Sequence, residues 1–140
     1  MNYWTNTPPF IQRLFKQFIW NLSSINNSPK VYLTFDDGPI PILTTQLLDL
    51  LTQHKVLATF FCVGENVRKY PKLFQAILQK GHHVGNHTMN HLNGWKVDKK
   101  KYLSDIKNAK KIIPSNLFRP PYGKLNLFAK NEILKKYKII

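Results

Sequence analysis

The chain has 140 residues, enough for one domain with a real core but short for a closed α/β barrel, which generally takes about 200 or more. Its net charge is +14, yet of the 21 cations only Arg13, Arg68 and Arg119 are arginine; a lysine excess scattered over many segments lacks the guanidinium forks that read phosphates and bases, which argues against a specific nucleic-acid partner and for a solvated basic surface. Cys62 is the single cysteine, so no intrachain disulfide can form, and inside the apolar run ATFFCVG it reads as a buried structural thiol.

In chain order, Phe10, Ile11, Leu14, Phe15, Phe18 and Ile19 recur at helical spacing, with Arg13, Lys16 and Gln17 off the stripe. This predicts an amphipathic helix packed on the main domain, or one lying in a membrane interface through residues 10–20. The start of the chain lacks a basic segment, and Arg13 and Lys16 interrupt its most apolar stretch, so no secretory signal is read. No stretch is long and apolar enough to span a bilayer, and a cytoplasmic or peripheral-membrane location is the expectation. The Ser- and Asn-rich segment from Asn21 to Lys30 reads as a linker, dividing residues 1–29 from a domain at 30–140.

From Lys30 the pattern alternates. KVYLTF reads as a strand, Leu43 to Leu51 as a helix, ATFFCVG as a second strand, and Pro71 to Gln79 as a helix that opens on proline and stops before Gly81. HHVGNHT is a third strand, Val97 to Ile113 a third helix, NLFRPPYG a fourth strand, Leu127 to Tyr137 a fourth helix, and KII a strand just begun. Strand and helix in alternation without hairpin signals predict parallel strands joined by right-handed crossovers. Reactive groups in such folds gather on the loops after the strands, which puts Asp36, Asp37, His87 and the Arg119 to Tyr122 segment on one rim.

Asp36 and Asp37 can share a site only where the strand ends and the backbone turns, and Gly38 and Pro39 supply that turn. Paired carboxylates repel; a bound cation is the usual reason to tolerate them, with one as ligand and the other free as a base. A solvated turn or a cap for the helix beginning near Ile40 is the bland alternative. His87 and His91, four apart, fall on one face of a helical turn or tight loop, and with Asp37 they make a three-ligand set of the kind a catalytic zinc uses. His54, His82 and His83 read as structural. In FRPPYG the two prolines fix the backbone and present Arg119 rigidly, which suits holding Asp36 in position; a proline-rich turn with a surface arginine is the plain alternative. Tyr122 offers a wall, a hydroxyl or a backbone amide. Two histidines and one carboxylate also suit iron(II) oxygen chemistry, but Asp36 and Arg119 fit hydrolysis better.

TFDDGP, HTMNH and RPPYG, in this order and at these separations, resemble the first three motifs of the polysaccharide deacetylases, carbohydrate esterase family four, over the stretch from about Lys30 onward. The resemblance implies an α/β fold, a distorted (β/α) barrel of which about five strands are present. It implies a hydrolase that removes acetyl groups from glycans such as chitin or peptidoglycan. By position, it implies that Asp36 is the general base and that Asp37, His87 and His91 bind a divalent metal, most fittingly zinc. Thr88 would then brace the histidine loop, Arg119 orient Asp36, and the Tyr122 amide hold the oxyanion. The family's late aspartate–tryptophan motif and its late histidine acid have no counterpart here, since no histidine follows His91. The expectation is therefore a domain truncated before the late motifs, with an open sheet edge, that is either part of a working deacetylase or a noncatalytic glycan- or metal-binding remnant.

Overall fold

The computed structural model describes residues 7–20 and 30–140; the linker expected over residues 21–29 lies outside them. Five strands, β1 (Leu33–Asp36), β2 (Ala58–Cys62), β3 (His83–Asn86), β4 (Leu117–Phe118) and β5 (Lys138–Ile139), form one sheet in that order. Every pairing is parallel, with Asp36 opposite Phe61, Cys62 opposite Asn86, and Phe118 opposite both Asn86 and Ile139. The arrangement is an open, all-parallel α/β sheet, as the alternation of strand and helix predicts, and it agrees with the incomplete (β/α) barrel that the resemblance implies.

Strand β2 is an interior strand covered on both sides, which is why its sequence is a nearly continuous apolar run instead of an alternating one. Phe60, Phe61 and Cys62 are buried there, and each phenylalanine removed from water contributes roughly 1.5–3 kcal/mol. Burial pushes the Cys62 thiol up to about 12, so it stays protonated and inert.

Helices α2 (Leu43–Gln53) and α4 (Pro71–Gln79) contribute Leu48, Leu51, Phe74 and Ile77 to a core that also takes in Phe60 and Val84. A second core, under α5 (Lys99–Lys110) and α6 (Lys130–Leu134), gathers Tyr102, Ile106, Phe118, Ile133 and Ile139. Helix α5 joins the two, since Ala109 belongs to the first core and Ile106 to the second. It starts at Asp98, whose carboxylate caps the Lys101 amide at 2.9 Å.

Several elements differ from the sequence expectation: β4 keeps only Leu117–Phe118 of NLFRPPYG, whose end forms a 3-10 turn at Pro121–Gly123, and α6 keeps only Lys130–Leu134 of Leu127 to Tyr137. Helix α3 (Gly64–Lys69) is additional; it is too short for a readable period, and Tyr70, kept out of the helical region before Pro71, separates it from α4. At the other end, α1 covers only Pro9–Leu14 and leaves Phe10 and Leu14 exposed. The chain then leaves the helix because a better set of partners is available: Phe18 packs into the second core and the Ile19 amide donates to the Ile139 carbonyl at 2.9 Å, on the outer edge of β5. No helix of the described residues is long and apolar enough to cross a membrane.

Candidate metal centre

All the site residues stand where strands end. Asp36 is the last residue of β1, and Asp37 follows in a left-handed conformation with φ 69°, which reverses the alternation of the strand and lets the two neighbours serve one site. The Asn66 side chain of α3 donates to the Asp37 carbonyl at 2.7 Å, and the Val63 amide donates to the Gly38 carbonyl at 3.0 Å, so the turn is tied to the end of β2.

The histidine loop after β3 is fixed more heavily. Thr88 and His91 both adopt positive φ, 65° and 52°, and such conformations persist only where surrounding contacts over-determine them. Those contacts are present. The Thr88 amide donates to Asn86 Oδ1 at 2.8 Å, and Thr88 Oγ1 accepts from the Leu92 amide at 3.1 Å across the loop. At the start of α3, the Gly64 and Glu65 amides donate to the Thr88 and Met89 carbonyls at 2.9 and 2.8 Å. A side chain at Gly64 would force the histidine loop to give way, because a Cβ there would lie 2.4 Å from Met89 Sδ and 3.1 Å from Met89 Cα.

With the loop so placed, Nε2 of His87 and Nε2 of His91 lie 3.4 and 3.0 Å from Asp37 Oδ1. One ligand atom from each of the three residues falls within 4.8 Å of the others. His87 is buried, and its Nδ1 donates to the Arg119 carbonyl at 2.8 Å, which leaves Nε2 as the lone-pair nitrogen facing the cluster. Burial, the largest influence, holds His87 below the ordinary imidazole value against the opposing pull of Asp36, the Arg119 carbonyl and Asp37. The neutral ring is the form a metal requires. Two imidazoles and a half-exposed carboxylate, open to solvent on the Asp37 side, fit a divalent cation.

Asp36 stands outside that cluster. Arg119 Nη1 bridges its Oδ1 and Thr34 Oγ1, both at 2.9 Å, while the guanidinium lies 4.2 Å from the centre of the Phe61 ring. Phe61 in turn is seated against Gly85 of β3, where any Cβ would come within 2.4 Å of the ring. Tyr122, with φ 59°, sets its ring 4.6 Å from that of His91, and its amide takes no acceptor among the described residues. Six of the seven residues that the motifs single out, Asp36, Asp37, His87, His91, Arg119 and Tyr122, thus meet on one rim, and the seventh, Thr88, spans the histidine loop. Thr34, Phe61, Asn66 and Asn86 support them without having been singled out. Beside the site, the continuations of the two rim loops enclose a groove of about 550 Å³ lined by Trp95, Leu125 and Phe128 among others.

A sequence profile of the family described as polysaccharide deacetylase matches residues 24–139. The chain belongs to the polysaccharide deacetylase family. It is 45% identical over 106 residues to a peptidoglycan-N-acetylglucosamine deacetylase of Bacillus cereus, covering 72% of this chain and 50% of that protein. It is also 38% identical over 110 residues to a chitooligosaccharide deacetylase of Bradyrhizobium, covering 74% of this chain and 50% of the relative. Among solved structures, the peptidoglycan deacetylase PdaC of Bacillus subtilis superposes with a TM-score of 0.76 at 36% identity, over 81% of this deacetylase-family chain and 58% of PdaC. The chain spans about half the length of the curated relatives it matches.

Proposed function

We propose that the protein is a metal-dependent hydrolase that removes acetyl groups from an N-acetylated polysaccharide or oligosaccharide of the peptidoglycan or chitin type. The observation that carries this reading is the convergence of Asp37, His87 and His91 within 4.8 Å, beside a second carboxylate held apart from them by Arg119. Structural carboxylates do not need such a division of labour. The names of the relatives, which act on peptidoglycan and chitooligosaccharides, point to the substrate class.

A divalent cation, zinc by its match to two imidazoles and a carboxylate, supplies Lewis acidity toward an acetyl carbonyl and a water when bound by Asp37, His87 and His91. The chain's own groups do the remaining work. Asp36 accepts the proton of the attacking water, and Arg119 keeps its carboxylate in one orientation through the shared contact with Thr34. The Tyr122 amide donates to the oxygen on which negative charge develops. The exposed rings of Trp95 and Phe128 offer apolar faces for flanking sugar rings.

A second reading is favoured by one specific observation. Collapse to products requires a proton for the departing amine, and among the described residues the histidines that reach the cluster are His87 and His91, both assigned here as ligands. A centre that holds metal and glycan without turning over would look the same. Acetate release from an N-acetylglucosamine oligomer, measured with the metal-stripped and zinc-loaded chain, separates the two. Zinc-dependent release supports the hydrolase; zinc uptake and oligomer binding without acetate support the binder, and absence of metal uptake removes both.

A further inference from the structure

We infer that Asp105 is a positioning residue for the metal centre: from α5 it clamps the loop between His87 and His91 and so sets the spacing of the two imidazoles. The inference rests on the reading of Asp37, His87 and His91 as a metal site. Asp105 is buried on the face of α5 whose other members, Tyr102, Ile106 and Ala109, pack in the cores. A buried carboxylate is costly unless fully hydrogen-bonded, and packing alone would be served by an apolar residue. No Lys, Arg or His stands within ion-pair distance of it among the described residues.

Its partners are instead three donors of the histidine loop. Oδ2 accepts from the Met89 amide at 2.8 Å and the Asn90 amide at 3.0 Å, and Oδ1 accepts from Asn90 Nδ2 at 2.5 Å. These donors all lie between the two histidines. The loop is therefore gripped from two sides, its carbonyls at Thr88 and Met89 by the first amides of α3 and its amides at Met89 and Asn90 by Asp105. Between those grips Thr88 and His91 hold their left-handed conformations, and the Nε2 atoms of His87 and His91 end 3.4 and 3.0 Å from the same oxygen of Asp37. Releasing the amides frees the chain at the two residues that aim the rings.

The test uses the full chain, loaded with cobalt(II) for its visible spectrum and with zinc for calorimetric affinity. Asp105→Asn keeps the volume but presents a donor where the loop presents donors; groups bonded directly to metal ligands are worth about 10- to 100-fold in metal affinity, and Asp105 acts one step further out, through the loop that carries both imidazoles. We expect at least a tenfold weaker affinity with an altered cobalt spectrum. Ile77→Val, a core change on α4, should leave both untouched at a temperature where each variant is fully folded. The double variant Asp105→Asn/Asn90→Asp restores a carboxylate opposite an amide and should recover most of the affinity. If Asp105→Asn does not fold, Asn90→Ala, an exposed change that removes the Oδ1 contact alone, should still weaken binding several-fold. Wild-type affinity and spectrum in the folded Asp105→Asn protein, or in Asn90→Ala where that stands in for it, overturn the inference while leaving the metal site intact. A wild-type chain that takes up neither cobalt nor zinc overturns the metal reading and this inference together.

Discussion

Gly85→Ala tests whether the sheet interior and the rim that carries the candidate metal centre are mechanically joined. The added methyl would lie 2.4 Å from Phe61 Cδ1 and 2.5 Å from Cε1, distances no relaxed contact shows. Phe61 is buried and cannot swing into solvent, and the Arg119 guanidinium lies 4.2 Å from its ring centre, so the ring can yield only by pressing on its neighbours. Overpacking of this kind costs about 1–3 kcal/mol. The alanine returns roughly 0.5–1 kcal/mol through a less flexible unfolded chain. Loss of the ring's contact with the guanidinium adds about 0.5–1 kcal/mol. The net expectation is a destabilisation of about 1–3 kcal/mol, read as a lower urea midpoint at an unchanged slope. Gly85→Ala combined with Phe61→Leu should recover part of it, because a branched aliphatic side chain leaves room at the ring edge, though not the support under Arg119. An unchanged midpoint in Gly85→Ala would refute the argument that Phe61 is wedged between β3 and the arginine.

Other outcomes follow from the same geometry. Asp37→Ala and His87→Ala should each abolish stoichiometric zinc uptake by dialysis and metal analysis, whereas Asp36→Asn should keep the metal and lower any acetate release by about 10²- to 10⁴-fold. Asn86→Ala should cost about 2–4 kcal/mol in urea unfolding, since this fully buried side chain accepts from the Thr88 amide and donates to the Ile106 carbonyl and the Tyr137 hydroxyl. For the metal-free protein the pH dependence has a definite sign. His87 titrates below 6.5 in the folded chain, so as pH falls through that value the unfolded chain protonates first and stability declines towards the folded-state pKa. The urea midpoint should therefore drop between about pH 7.5 and 5.5, and His87→Asn should flatten that part of the curve.

Much of this was legible in the amino-acid sequence, for physical reasons that differ from element to element. Strand β2 announces itself because a doubly covered strand needs apolar residues without alternation, and α2 and α4 because one face of each must recur every three or four residues. The motif residues were legible because unusual chemistry is crowded at strand ends. What stayed hidden lacks a local signature. Helix α3 is shorter than two full periods of any pattern. The Arg119 carbonyl that orients His87 is a backbone atom, indistinguishable in sequence from every other carbonyl. Asp105 sits on a lysine-rich helix where a carboxylate looks like an ordinary surface charge, and only the packing of α5 on the rim reveals its partners. The N-terminal stripe has the period of a longer helix, while the competing hydrogen bond from Ile19 to the edge of β5 involves a residue 120 positions away in sequence.

Asp37, Thr88, His91 and Tyr122 are each held with φ between 52° and 69°, a region that glycine enters freely and other residues resist. A chain selected for stability alone would place glycine at these four corners of the rim. That side chains with ligating or shaping capacity stand there means the rest of the fold carries a standing load of roughly 1 kcal/mol or more per position. Stabilising programmes applied to this protein would thus find their easiest gains at the residues it can least give up, and should begin in α2, α4 and α6 instead.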